Sequence, residues 1–262
     1  MFRVNAYRQG RIGALATTGR GTNVGDTFRM KAVLVLVAAL AFAMSPFWAG
    51  GFGGFDPDRF PVQQINPPVT PAGYAFSIWG LIYSWLILSA GYGLLRRAED
   101  AGWDRVRWPL LVSLAVGASW IPVAQQSPLG ALVLIWVMLV AALAAMFAAP
   151  RSDRWWLAVP LSIYAGWLSA ASFVSVALNA AGFGIGPGSL GWAWIAVAAL
   201  VPFAAWVQMR RPWMAGYGLT LAWALAAVAV RNAGSETALA AVAGICAAGF
   251  AALPLLLARR QG

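Results

Sequence analysis

Residues 66–83 read NPPVTPAGYAFSIWGLIY, and the reading of this stretch decides the reading of the rest. Pro67, Pro68 and Pro71 each remove a backbone donor and bias the preceding residue to extended geometry, so together with Gly73 they hold 66–73 out of helix. An apolar helix then opens near Tyr74. Phe76, Trp79 and Tyr83 follow at helical spacing, on one face of that helix and directly beneath the rigid approach. A proline-stiffened loop arriving above an aromatic face is the sequence pattern of a lidded pocket.

Composition fixes the solvent around that helix. Of 262 residues, 61% are hydrophobic and 10% charged, and the mean hydropathy is +0.72, which is more apolar surface than a soluble domain buries. Spans are expected at 32–49, 74–95, 108–125, 129–149, 155–178, 190–208, 213–230 and 237–258, none of which contains Asp, Glu, Lys or Arg. The expected fold is therefore an all-α integral membrane protein, a polytopic bundle of about eight transmembrane helices in a lipid bilayer. Basic residues alternate with these spans. Six precede the first span, four lie at 96–107, and two each lie at Arg151 and Arg154, Arg210 and Arg211, and Arg259 and Arg260; the opposite loops hold only Arg59 and Arg231. By the positive-inside rule both termini face the cytoplasm and the 50–73 loop faces outward. An uncleaved first helix fits this parity better than a signal peptide does. The net charge of +10 is thus explained by topology and leaves no patch for nucleic acid.

Residues 1–30 are basic and interrupted by glycines, and are expected to be a disordered tail; Met30 before Lys31 offers an alternative translation start. The first outer loop runs from Gly50 to Gly73. Its Asp56 and Asp58 are a thin set for a metal, so a solvated turn is the favoured reading. Histidine is absent, and the single Cys246 excludes an internal disulfide. With no ionisable side chain inside any expected span, proton relays, acid-coupled carriers and metal-dependent hydrolases are all disfavoured. The polar groups left at membrane depth are the hydroxyls of Ser77, Tyr83, Ser84, Ser169, Ser172 and Ser175 and indole N–H groups, a lining suited to a flat, weakly polar, apolar ligand held by stacking. Two loose sterol-contact patterns occur, Leu88–Tyr92–Arg96 and, reversed, Arg211–Tyr217–Leu219, both of a kind that recurs by chance. Residues 181–191, AGFGIGPGSLG, lack the βαβ context of a nucleotide loop.

The run from Pro71 to Tyr83 resembles the loop and second-helix signature of the TspO/MBR family, the tryptophan-rich sensory proteins, with Trp79 and Tyr83 as its W-x-x-x-Y. Tyr164, Trp167, Ala171 and Ser172 match that family's fifth-helix pattern, with Ser for Thr. The chain departs from the pattern at Ser175 and Gly117, where the family has Asn. The resemblance covers roughly 31–179. It implies a five-helix core over 31–180, with 181–262 supplying three additional helices. It further implies a receptor or sensor that binds a porphyrin or other tetrapyrrole, with sterol as a second ligand class, under the first outer loop. On that basis Phe76, Trp79, Tyr83, Trp120, Tyr164 and Trp167 are expected to contact the ligand and Asn66, Pro67, Pro68 and Pro71 to form the lid. No catalytic residue, metal or required cofactor is expected; porphyrin or haem enters as ligand, homodimerisation through small-residue helix faces is permitted, and the bacterial inner membrane is the expected location. Two alternatives stay open: a permease for a small neutral or amphipathic solute, and a tetrapyrrole-modifying enzyme using a pocket Trp for redox chemistry.

Overall fold

The computed structural model describes residues 18–259, and among them every regular element is helical. In chain order these are α1 (Thr18–Ala49), α2 (Ile78–Arg96), α3 (Ala101–Gln126), α4 (Pro128–Ala148), α5 (Val159–Gly182), α6 (Gly188–Arg210), α7 (Ala215–Asn232) and α8 (Thr237–Arg259). Among the described residues seven helical stretches are long and apolar enough to cross a membrane. The remaining helix, α7, has 18 residues and ends in Arg231 and Asn232, and the described residues form the all-helical polytopic bundle that was expected.

Helix ends follow local chemistry, and their differences from expectation follow non-local partners. Asp100 caps α3 by accepting from the Trp103 N–H at 3.0 Å, and Ser127 caps α4 by accepting from the Gly130 N–H at 3.0 Å, with Pro128 in the first turn. The helix expected near Tyr74 instead begins at Ile78. Residues Gly73–Ser77 form a tighter 3-10 turn, with the Ala75 N–H on the Ala72 carbonyl at 2.9 Å. Residues 18–30, expected to be part of a disordered tail, are the opening turns of α1; residues 1–17 of that expectation lie outside the described residues. The reason is a charged plate at this end of the bundle. Lys31 Nζ meets Asp104 Oδ2 at 2.9 Å and Arg107, its side chain 4% exposed, donates to the Phe28 carbonyl at 3.0 Å, the Arg97 carbonyl at 2.7 Å and Asp104 Oδ1 at 3.3 Å. These contacts also draw the start of α3 back to Ala101, seven residues ahead of the expected span. At the same end Arg97 grips Asp153 with Nε at 2.7 Å and Nη2 at 3.0 Å, while Trp103 Nε1 donates to that carboxylate at 3.0 Å. The Arg97 guanidinium holds the Asp153 carboxyl below the usual carboxylate range, against the opposing effect of burial.

The first five helices close a ring in the order α1, α2, α5, α4, α3. Its centre is aromatic: the Phe42 ring of α1 lies 5.7 Å from Trp79 and 5.0 Å from Tyr83, edge-on to both, and 5.9 Å from Tyr164. On the far side of α5 sit α6 and α7, with α8 packed on α7. Helix α5 is therefore shared by both halves, and 17 of its 24 residues are buried. It approaches α7 closely at Gly166, where an added Cβ would stand 2.8 Å from the Tyr217 carbonyl oxygen. Two tyrosine relays brace α5. Ser113 Oγ donates to the Met138 carbonyl and receives the Tyr164 hydroxyl, both at 2.8 Å; Ser169 Oγ donates to the Ala165 carbonyl at 2.8 Å and receives the Tyr217 hydroxyl at 2.9 Å.

Candidate functional site

At the end opposite the charged plate the 50–73 loop folds over the bundle. Within it Asp56 caps a short 3-10 turn by accepting from the Asp58 N–H at 3.1 Å, and Asp58 accepts from Gln63 Nε2 at 2.6 Å. Asn66 takes a left-handed backbone with φ 52°, a conformation asparagine tolerates, and the turn closes with Thr70 Oγ1 donating to the Pro67 carbonyl at 2.8 Å.

Four contacts hang the loop and the turn that follows it on α7. The Ala72 N–H donates to the Ala227 carbonyl at 3.0 Å, Trp223 Nε1 to the Ala75 carbonyl at 3.1 Å, Asn232 Nδ2 to the Pro68 carbonyl at 2.9 Å, and Arg231 Nη2 to Asn66 Oδ1 at 2.7 Å. Two more fasten it to α5 and α6: the Val62 N–H on the Gly182 carbonyl at 2.9 Å, and Ser189 Oγ on Gln64 Oε1 at 2.8 Å. The Phe60 ring, 4% exposed, seats on Gly182, where an added Cβ would lie 2.2 Å from Cδ1. The loop is thus a lid with a defined seat.

Beneath it is a cavity of about 420 Å³, within the size range of small-molecule sites. Its roof is Phe52, Phe55, Phe60 and the Asn66–Pro67 and Pro71 segment; its walls are Phe76, Trp120, Trp167 and Phe173 with small apolar residues of α5, α6 and α7. The roof and wall rings touch, Phe52 to Trp120 at 4.8 Å and Phe76 to Trp167 at 5.8 Å. Polarity is sparse. Ser175 Oγ faces the cavity buried and without a hydrogen-bond partner, and Arg231 at the rim is the one charged side chain in the lining.

Of the residues expected to contact a ligand, Phe76, Trp120 and Trp167 line this cavity with Asn66, Pro67 and Pro71 above them. Trp79, Tyr83 and Tyr164 do not line it, nor does Pro68. Trp79 and Tyr83 stack on each other at 5.2 Å around Phe42, and Tyr164 is fully buried against Ser113, so these three fill the centre of the five-helix ring. The cause is the 3-10 turn, which puts Phe76 out of helical phase with Trp79 and Tyr83. Trp79 still reaches the cavity wall indirectly, its ring 6.1 Å from Trp167. Residues the sequence reading did not place here include Phe60, Phe173 and Arg231; the position of Arg231 among the few basic residues outside the basic-rich flanks was the available signal.

A second, groove-like cavity of about 520 Å³ lies between α2, α5 and α7, walled by Trp85, Trp155, Trp213 and Trp223. Neither sterol-contact pattern offers a free tyrosine. Tyr92 stacks on Trp156 at 4.8 Å and places its hydroxyl 3.4 Å from Asp153, and Tyr217 is buried on Ser169.

No curated protein and no solved structure matches the chain significantly. A family model described as TSPO-like protein matches residues 30–256, which runs from within α1 to within α8. Both the lid with its cavity and the helices α6–α8 that complete them fall inside that match, and the chain belongs to the family of TSPO-like proteins.

Proposed function

We propose that the protein is a membrane receptor or sensor for a flat, largely apolar ligand of the tetrapyrrole class, bound under the 50–73 lid. The observation that carries this reading is the roofed aromatic cavity of about 420 Å³ with an unpartnered buried hydroxyl, Ser175 Oγ, on its wall. Aromatic walls set nearly perpendicular to one another suit a planar π-system by stacking on one and edge contact with another. A buried hydroxyl without a partner is costly until a bound group supplies one. The lining favours binding over catalysis, since it holds no carboxylate, and it supplies no tyrosine, cysteine or methionine to an iron, so metal-free porphyrin is the fitting probe. With the basic residues on the cytoplasmic side of a bacterial plasma membrane, the lid faces outward and the ligand enters from there.

The test is quenching of tryptophan fluorescence by protoporphyrin IX in purified, detergent-solubilised protein. Trp120 and Trp167 line the cavity, so saturable quenching is expected. Ala171→Phe, which fills the cavity from its α5 wall, abolishes it, whereas Trp85→Phe in the separate groove leaves the affinity unchanged. Quenching that does not saturate, or that Ala171→Phe leaves intact, overturns the proposal.

A further inference from the structure

Resting on that reading, we infer that the ligand carries a carboxylate or an equivalent anionic group, and that Arg231 at the rim of the cavity is the residue that selects for it. Three observations carry this. First, Arg231 is the only charged side chain in the lining, and among the described residues no carboxylate pairs with it. Second, its guanidinium makes one side-chain hydrogen bond, from Nη2 to Asn66 Oδ1 at 2.7 Å, which leaves most of its five donors available and anchors the group at the edge of the lid. Third, it stands against the charge pattern of the chain. Apart from Arg59, which donates to the Gln126 carbonyl, every other basic residue belongs to the basic-rich flanks on the opposite side of the spans. A cation kept on the outer side beside an aromatic cavity is thereby set apart from the residues that fix topology.

Ser175 gives the second anchor. It lies inside the cavity on α5 and Arg231 lies at the rim on α7, while the other polar side chains of the lining, Gln64, Asn66 and Thr70, belong to the lid and are already hydrogen-bonded. A ligand that fits has a flat apolar body, an acid group at the outer edge, and an acceptor or donor reaching the Ser175 hydroxyl. A neutral flat molecule would satisfy the walls and leave Arg231 without its pair. Guanidinium binds carboxylate bidentately through paired N–H groups, and the resulting bonds are about twice as strong as neutral ones.

The experiment compares protoporphyrin IX with its dimethyl ester, which has the same ring and no charge, on the wild-type protein, Arg231→Gln and Ala171→Phe. The acid is expected to bind the wild type about fivefold more tightly than the ester, the size set by a rim-exposed charge pair. Arg231→Gln removes that preference, read as the ratio of the two affinities in the same variant so that any loosening of the lid acts on acid and ester alike, and raising the salt concentration narrows it in the wild type. Equal affinity of acid and ester for the wild type, with both lost in Ala171→Phe, overturns the role of Arg231 and leaves the cavity as the binding site. No saturable binding of either ligand overturns the inference together with the proposed function. The wild-type comparison needs no variant to fold, and Arg231→Lys, which keeps the charge but not the fork, is expected to retain part of the preference.

Discussion

Gly182→Ala is the sharpest perturbation of the lid. Gly182 closes α5 with a helical backbone, and by propensity alone alanine there would stabilise the helix by up to about 1 kcal/mol. The structure reverses that sign. The new Cβ would sit 2.2 Å from Phe60 Cδ1 and 2.6 Å from Cγ, closer than any carbon contact, so the ring must leave its seat. Phe60 is 4% exposed, and full burial of a phenylalanine contributes about 1.5–3 kcal/mol. Its edge contacts with Phe55 at 5.9 Å and Phe183 at 6.0 Å go with it. Lid docking therefore weakens by about 2 kcal/mol, roughly thirtyfold in the open population.

Trypsin reads this directly, because Arg59 is the one basic residue between Gly50 and Gly73 and its own carbonyl joins Phe60. When reclosing outruns cleavage, the rate of cutting after Arg59 follows the open population. The fragment ending at Arg59 is expected to form about thirtyfold faster in Gly182→Ala than in the wild type. Phe60→Ala gives a similar acceleration, and the double variant is no faster than Phe60→Ala alone, since both changes remove one contact. An unchanged rate in Gly182→Ala refutes the seat. An acceleration that persists in the Phe60→Ala background places the effect in the helix end instead.

Three further outcomes are expected. Asn232→Ala removes the donor to the Pro68 carbonyl, about 1 kcal/mol, and speeds cleavage after Arg59 roughly fivefold, measured by the same digest. Gly166→Val drives a side chain against the Tyr217 carbonyl at 2.8 Å and Thr220 Cβ at 3.0 Å, costing about 1–3 kcal/mol, and lowers the thermal unfolding temperature in detergent, whereas Gly80→Ala, with open space around it, does not. Asp153 has a folded pKa held down chiefly by Arg97, so the stabilisation it supplies is present above about pH 4 and is lost as the pH falls through the folded value. Asp153→Asn therefore starts from a lower unfolding temperature at pH 7 and falls less than the wild type on acidification; parallel curves would sink this account.

The membrane class and most helix positions were legible because charge-free apolar runs must be spans whatever they pack on. Helix starts were less so. The amino-terminal turns of α1 and the first turns of α3 exist through Lys31, Asp104 and Arg107, partners 73 or more residues apart for the contacts between the two helices. The site divides in the same way. Phe76, Trp120 and Trp167 are aromatic residues close to a lid, a local pattern. That Trp79, Tyr83 and Tyr164 turn into the ring centre depends on Phe42, which sits where a Cβ at Gly117 would meet it at 2.8 Å, so the departure from the family pattern at Gly117 is the space Phe42 fills. Arg231 and Asn66 are separated by 165 positions, and nothing local to either points to the other.

The polar groups of α7 follow from what the helix holds. Tyr217 is fully buried with its hydroxyl on Ser169 of α5, Thr220 is 4% exposed, and the Gly218 N–H donates to Gln208 Oε1 at 2.8 Å. Farther along, Trp223, Arg231 and Asn232 carry the lid. A hydropathy window weighs every side of a helix alike, whereas lipid meets only the outer one. Polar groups that find partners inside lower the average without being offered to hydrocarbon. A helix that both braces α5 and suspends the lid needs such groups at both tasks, and a uniformly apolar α7 could do neither. The inward polar groups of α7 are thus the trace, in sequence, of a helix that couples the bundle's central element to the roof of its cavity.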